Sequence, residues 1–211
     1  MASLDPGALS RRDRYRLLIG AVVPRPIAWV TTRSSAGVVN LAPFSFFNGV
    51  TATPLVISIA IAHRDPVKDT LANLRQEREA VVHIAPPELC FDVHQRGAEY
   101  AASISEAAIL GLELAPSLRV APPRLVAVAV ALECRLVQEI PIGDPLTSLC
   151  LLEVVQAHVA DGVAFPDGIP DPHKHRALAR LGDRSYLVET GWPVSDLPPQ
   201  QVPPGMGLPP R

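Results

Sequence analysis

Short apolar runs separated by turn residues dominate the chain, and this pattern predicts a protein built mainly of β-strands. The first run is 26–32 (PIAWVTT), which is rich in apolar and β-branched residues, and the second run resumes at 38–41. Residues 34–37 (SSAG) between them are typical of a turn. Further runs that fit strands are 55–61, 80–85, 126–140, 149–159 and 186–189.

Two segments predict helices. The first is 67–78, where Leu71 and Leu74 lie about one turn apart, and Asp65 and Pro66 are expected to supply its cap and its N-terminal proline. The second is 88–101, where the apolar positions follow a looser helical pattern. Because strands and helices do not alternate along the chain, we expect a β-barrel with a few inserted helices, not a parallel α/β sheet.

Composition places the chain among ordinary globular proteins. Of its 211 residues 48% are hydrophobic and 19% charged, and the net charge of -2 gives no basic footprint for nucleic acid. The N-terminus has no signal-like pattern and no apolar run is long enough for a bilayer. The sparse Cys90, Cys134 and Cys150 argue against a disulfide scaffold or structural zinc. We therefore expect a cytoplasmic protein with no nucleic-acid or membrane partner.

The domain boundaries follow from these runs. We expect an N-terminal extension over 1–14, one domain over 15–192 and a proline-rich tail over 193–211 that is extended or disordered. The tail is either a solvated arm or a strap that docks on a partner subunit.

Several familiar motifs of catalysis and nucleotide binding are missing. No G-x-G-x-x-G follows a strand, and neither a nucleotide phosphate loop nor a G-x-S-x-G elbow occurs. His173 and His175 could share a strand face and chelate a metal, but the prolines around them favour a loop. We predict no metal site.

Three pieces between 25 and 75 carry candidate chemistry. The first is 25–32 (RPIAWVTT), where Thr31 and Thr32 offer hydroxyls to sugar or phosphate oxygens and Trp29 offers a flat apolar surface. The alternative is a strand with two surface threonines.

The second piece is 40–49 (NLAPFSFFNG), which holds three of the five phenylalanines between two residues that break regular structure. A planar heterocycle needs an apolar bed and a few aimed polar groups. A buried aromatic strand is the alternative. The candidate bed residues are Pro43, Phe44, Ser45, Phe46 and Asn48.

The third piece is 63–70 (HRDPVKDT), at the start of the first predicted helix. Free amides and the helix dipole attract anions there, and Arg64, Lys68 and Thr70 would add bonds to a phosphate. The alternative is a capped surface helix with ordinary charges.

Taken together, the three pieces resemble the flavin reductase-like, FMN-binding split-barrel family, which includes flavoredoxins and NAD(P)H:flavin oxidoreductases. The resemblance continues through 122–134, 153–163 and 178–188, and covers the chain from Tyr15 to about Trp192. It implies a mainly β, Greek-key-like split barrel and a homodimer with FMN near the subunit interface.

By position, the resemblance implies that Thr31, Thr32, Arg64, Lys68 and Thr70 contact the ribityl chain and phosphate. It also implies that 43–48 form the bed of the isoalloxazine ring, largely through backbone groups.

The resemblance further implies that Arg180 and Tyr186 lie near the flavin or the dimer contact. Two departures from the family stand out: His83 replaces a usual asparagine, and Asp65 with Pro66 replaces a common glycine.

The implied function is an oxidoreductase in which NADH or NADPH reduces bound flavin, and reduced flavin or its electrons serve a partner such as a monooxygenase. A flavoredoxin-like electron carrier or a non-catalytic FMN-binding protein is the alternative. No side chain is assigned as a catalytic acid or nucleophile, because the flavin would perform the chemistry.

Overall fold

β-Strands form the body of the molecule and confirm the mainly β class predicted from the sequence. The computed structural model describes residues 1, 3–63, 65–95, 101, 103–143 and 146–188. The strands are β1 (Arg25–Pro26), β2 (Ala28–Arg33), β3 (Val39–Phe44), β4 (Phe47–Ala52), β5 (Leu55–Ala62), β6 (Glu79–Ile84), β7 (Leu114–Ala115), β8 (Arg124–Leu125), β9 (Val130–Ile142), β10 (Thr147–Val159), β11 (Ala179–Arg180) and β12 (Tyr186–Leu187). The α-helices are α1 (Arg11–Ala21), α2 (Asp69–Glu77), α3 (Cys90–Gln95) and α4 (Glu106–Ile109).

Seven strands make one antiparallel sheet in the order β3-β2-β6-β9-β10-β5-β4. The edge strands β3 and β4 are consecutive in the chain, and only Ser45 and Phe46 separate them. So short a link requires the two edges to lie side by side, so the sheet curls round into a barrel. Because β3 and β4 do not pair with each other, the barrel stays open along this seam. This arrangement confirms the split barrel.

The barrel interior is one hydrophobic core. Alternate residues of β5 point inwards, and Ile59 and Ile61 are completely buried. Leu71 and Leu74, one turn apart on α2, join the same core and seat that helix against the barrel. Full burial of each such side chain contributes about 1.5–3 kcal/mol relative to exposure, so this face of α2 determines where the helix lies.

A second hydrophobic core covers the outer face of β2 and β3 and includes Ala85, which directly follows β6. Trp29 and Leu41 from the sheet pack there with Val93 of α3, Ala107 of α4 and Leu178. Each of these side chains is almost completely buried. One half of the sheet therefore has apolar packing on both faces.

Several elements differ from the sequence prediction. The segment 11–21 forms α1, which Ser10 caps by accepting a hydrogen bond from the amide of Asp13, and the sequence reasoning missed this helix. Strand β4 was also missed, because its six residues run from Phe47 through Asn48 and Gly49 without a clear apolar alternation.

The predicted starts of the helices were also partly wrong. Helix α2 begins at Asp69 with Lys68 as its N-cap, so Asp65 and Pro66 precede the helix and do not cap it. A 3-10 turn over Pro87–Leu89 precedes α3, which ends at Gln95. Residues 96–100 of the predicted second helix and the tail 193–211 lie outside the described residues. Within the described part of the chain, no helix is both long and apolar enough to cross a membrane.

Candidate functional site

The seam of the barrel carries the aromatic segment 43–48. Its main chain is fixed to the neighbouring strand, because the amide of Ala60 donates to the carbonyl of Phe46 over 2.8 Å. Phe44 is nearly buried, whereas Pro43, Ser45 and Phe46 are half-buried and Asn48 is exposed. The segment therefore combines apolar surface with accessible polar groups along an open edge.

Arg25 supports this segment from behind. Its guanidinium donates to the carbonyls of Ile19, Val22 and Leu181 over 2.8–2.9 Å. The same group lies 3.5 Å from the hydroxyl of Ser45 and 5.8 Å from the centre of the Phe46 ring. Burial lowers the pKa of Arg25, but no acid is needed to hold it because backbone carbonyls satisfy its donors.

The start of α2 reaches the same place. The ammonium of Lys68 lies 5.5 Å from the centre of the Phe44 ring, so the cation of the third piece meets the aromatic bed of the second. Lys68 makes no capping hydrogen bond with its side chain. The amides of Leu71 and Ala72 donate to the carbonyl of Lys68, so the amides of Asp69 and Thr70 are the candidate donors for an anion at this helix start. Arg64, the other cation of this piece, lies outside the described residues.

Beneath the first turn of α2 lies a buried polar network. The side-chain amide of Asn40 donates to the hydroxyls of Thr70 over 2.9 Å and Thr32 over 3.3 Å. Asn73 donates to Thr32 over 3.0 Å. Thr32 and Thr70 are almost completely buried, so their hydroxyls hold α2 onto β2 and β3 from within.

Trp29 and Thr31 point to the opposite face of β2. The Trp29 side chain is completely buried in the second core and offers no surface to a ligand in this chain. The hydroxyl of Thr31 donates to the carbonyl of Pro123 over 2.6 Å. The alternative of surface threonines is also wrong, because Thr31 and Thr32 have no exposed surface. The structure therefore brings the second and third pieces together, without Trp29 and Thr31.

His83, one of the two positions at which the resemblance implies a departure from the family, is completely buried. Its Nδ1 lies 2.8 Å from the carbonyl of Trp29 and must donate, and its Nε2 accepts from the amide of Leu125 over 2.9 Å. Burial lowers the pKa of His83 to about 4, so the ring is neutral at pH 7. An asparagine side chain also has a donor and an acceptor, and the strands on both sides of His83 pair without a register shift.

Arg180 and Tyr186 lie together near the seam. Arg180 pairs directly with Arg25 in the β1–β11 ladder, and its guanidinium lies 4.5 Å from the centre of the Tyr186 ring and donates to that hydroxyl. His94 of α3 contacts the same hydroxyl at 3.2 Å. Sequence reasoning had no signal for His94, which is 92 residues away in the chain.

The two candidate metal-binding histidines lie in a loop. The amide of His173 donates to the Asp171 carboxylate over 2.9 Å, and neither His173 nor His175 is in a strand. Across the described residues, no group of three or more His, Cys, Asp or Glu side chains could hold a metal ion.

Comparison with known proteins agrees with this geometry. The family model described as the flavin reductase like domain matches residues 19–177. A protein of Halalkalibacterium halodurans that has not been characterised is 41% identical over 189 residues, which cover 87% of this chain and 90% of that protein.

Two crystal structures are similar over nearly the whole chain. Nitrilotriacetate monooxygenase component B from Bacillus cereus has a TM-score of 0.84 and 31% identity, covering 89% of this chain and 95% of its own. The 2-nitrobenzoate 2-nitroreductase NbaA of Pseudomonas fluorescens has a TM-score of 0.86 and 28% identity, covering 97% of this chain and 100% of its own. With a family model that matches most of the chain and a split barrel with an aromatic seam beside a cationic helix start, this protein belongs to the flavin reductase-like family.

Proposed function

We propose that this protein is an FMN-binding oxidoreductase that takes reducing equivalents from NADH or NADPH and delivers reduced flavin, or its electrons, to a partner such as a monooxygenase. One observation carries the proposal: the Lys68 ammonium lies 5.5 Å from the Phe44 ring, so an anion site adjoins an aromatic bed. Membership of the flavin reductase-like family and similarity to a monooxygenase component support it.

The residues at the seam fit the ring system and the phosphate of FMN. The half-buried Pro43 and Phe46 supply apolar surface for the ring system, while Ser45 and Asn48 supply polar groups for its edge. The start of α2 with Lys68 supplies donors and charge for the phosphate. FMN, when bound, supplies the hydride-accepting chemistry, and the protein holds and orients it. Thr32 and Thr70 act one layer below, by fixing the helix start.

The outer face of the other half of the sheet supports the proposal of a homodimer. In the ladders, Leu149 of β10 pairs with Ala60 of β5 and with Ile140 of β9. Leu151 lies two residues along on the same face, and neither leucine is fully buried. Among the described residues, the second core packs on β2 and β3 and includes neither Leu149 nor Leu151, so we assign this apolar face to a second copy. Since β5 pairs with β4, that copy would lie beside the seam.

The dimer is tested by light scattering coupled to size exclusion. Leu151→Glu places a charge in the proposed interface and should give monomers that bind FMN more weakly. Ile109→Glu, on an exposed side chain of α4, is the matched control and should remain dimeric. A Leu151→Glu protein that is folded and still dimeric would refute this interface.

The phosphate site is tested with the two lysines of the chain. Lys68→Ala should raise the Kd for FMN by about 5- to 150-fold, because a phosphate loses a charge-assisted hydrogen bond worth about 1–3 kcal/mol. Lys174→Ala removes the other lysine, which is exposed and pairs with Asp171, and should leave the Kd unchanged. Equal effects of both substitutions would remove Lys68 from the site.

The reaction is tested by mixing FMN-loaded protein anaerobically with NADH and then NADPH, and following flavin bleaching by stopped flow. Rapid bleaching with either donor is the expected result and identifies the donor. Failure with both donors, while dithionite still reduces the flavin, would instead support the flavoredoxin-like electron carrier.

A second candidate is direct reduction of an organic substrate on the bound flavin. The similarity to the 2-nitrobenzoate 2-nitroreductase over 97% of this chain favours it. Oxidation of NAD(P)H that depends on an added nitroaromatic acid, without free reduced flavin in solution, would distinguish this activity from a flavin reductase.

A further inference from the structure

Four polar side chains outside the seam form a continuous hydrogen-bonded chain. The Nε2 of His63 lies 2.6 Å from the hydroxyl of Ser148, and that hydroxyl donates to the carboxylate of Glu139. Arg75 of α2 donates to both oxygens of the same carboxylate over 2.6–3.2 Å. The order is therefore His63, Ser148, Glu139 and Arg75, and the hydroxyl of Ser148 is the junction.

The proton positions in this chain follow from its geometry. The hydroxyl of Ser148 donates its single proton in a hydrogen bond to Glu139. The hydroxyl oxygen therefore accepts a hydrogen bond from His63, and Nε2 of His63 must carry a proton. The hydrogen bonds from Arg75 hold the pKa of Glu139 down at about 2, so its carboxylate is ionised across the physiological range. Ser148 has no exposed surface, so its hydroxyl is shielded from water, whereas the pair of Arg75 and Glu139 is partly exposed.

These residue types also occur in hydrolase triads, but this arrangement excludes that chemistry. In a triad, histidine lies between serine and carboxylate and takes the serine proton. Here the serine lies between the two, gives its proton to the carboxylate and is buried. Ser148 is therefore not a nucleophile, and the hydrogen-bonded chain of the four residues has a different role.

The hydrogen-bonded chain connects the beginning of the loop that carries Lys68 to the last turn of α2, the helix that follows this loop. His63 directly follows β5, and its amide also donates to the carbonyl of Leu146 over 2.9 Å. Arg75 lies in the last turn of α2. Ser148 and Glu139 therefore fix the end of β5 and the last turn of α2, and these are the two elements that the loop joins.

We infer that His63, Ser148, Glu139 and Arg75 are positioning residues that set the loop and the start of α2 at the spacing required by the phosphate of FMN. This inference rests on the proposed FMN site. It predicts a selective effect, because a change in this spacing alters contacts with the phosphate and leaves the aromatic bed at the seam in place. Riboflavin has the same ring and ribityl chain but no phosphate, so it reports on the bed alone.

The experiment measures the Kd of FMN and of riboflavin for each variant by fluorescence quenching, below the melting temperature of that variant. Ser148→Ala and His63→Leu should each weaken FMN binding by about tenfold and riboflavin binding by less than about twofold. His63→Gln retains an amide donor in place of Nε2 and should keep the wild-type ratio of the two constants. Arg135→Gln is the control, since it breaks an ion pair with Glu79 elsewhere on the same sheet and should change neither constant.

Each other result overturns the inference. Equal weakening of FMN and riboflavin in Ser148→Ala would show that the chain supports the barrel as a whole. Unchanged constants in both Ser148→Ala and His63→Leu would show that it does not reach the site. If the wild-type protein binds FMN and riboflavin equally well, the phosphate site at α2 is itself wrong, and this result separates failure of the proposed function from failure of the positioning chain alone.

Discussion

Acid should destabilise this protein through His83 over the pH range from about 6.5 down to about 4. The imidazole is completely buried, and its pKa lies at about 4 compared with an ordinary value of 6.5. Between these two pH values His83 is protonated in the unfolded chain and neutral in the folded chain. The free energy of unfolding therefore falls as the pH falls. The contribution of His83 is complete above pH 6.5 and is lost progressively towards pH 4.

The magnitude follows from the same two values. Lowering the pH from about 7 to about 5 should remove about 2 kcal/mol of stability through His83 alone. Asparagine can donate to the carbonyl of Trp29 and accept from the amide of Leu125, but it does not titrate. His83→Asn should therefore lose about 2 kcal/mol less than wild type over this range, whatever its absolute stability.

Urea unfolding at several pH values between about 5 and about 7 measures the difference. Glu139 and Glu133 do not interfere, because each has a pKa below its ordinary value of 4.5 and stays ionised over this range. Burial also lowers the pKa of His175, but it is present in both proteins and cancels. Parallel pH dependences in wild type and His83→Asn would refute a buried neutral imidazole at this position.

Three further predictions concern buried polar side chains, each tested by urea unfolding. Thr31→Val removes the hydrogen bond to the Pro123 carbonyl and should cost about 1 kcal/mol with no change in FMN affinity; weaker FMN binding would return Thr31 to the site. Burial raises the pKa of Glu133, but hydrogen bonds from His158 and two backbone amides outweigh this effect and lower it overall. Glu133→Gln should therefore cost about 2 kcal/mol of stability at neutral pH, and this cost should become smaller below pH 4.5. A cost that is independent of pH would contradict this prediction. Arg25→Met leaves three carbonyls without their donor and should cost at least about 2 kcal/mol, and a neutral result would show that water replaces the guanidinium.

The faces of β2 show where sequence reasoning fell short. Adjacent residues of a strand point to opposite sides, so Thr31 and Thr32 could not both have faced one ligand. The alternation was readable in the sequence. The sequence did not show which side packs against α2 and which against the second core, because the residues that contact Thr32 and Thr31 there are 41 and 92 positions away.

Sequence reasoning did not identify the hydrogen-bond partners of several polar side chains, because these partners are distant in the chain. His63 and Ser148 are 85 residues apart in the chain. Glu133 of β9 forms its hydrogen bond with His158, which lies on the neighbouring strand β10. No local pattern marks such pairs, since each residue alone resembles an ordinary polar position. Only the register of β9, β10 and β5 brings them within hydrogen-bond distance.

The sequence by itself determined the properties that depend on neighbours in the chain. The apolar runs predicted most of the strands, the spacing of Leu71 and Leu74 predicted α2, and the motifs of 25–75 predicted the family. The tertiary structure decided which residues meet. It closed the barrel except at the seam, brought Lys68 to the Phe44 ring, and enclosed Trp29. The physical reason is that strand pairing and burial depend on free energies summed over distant segments, which local propensity does not contain.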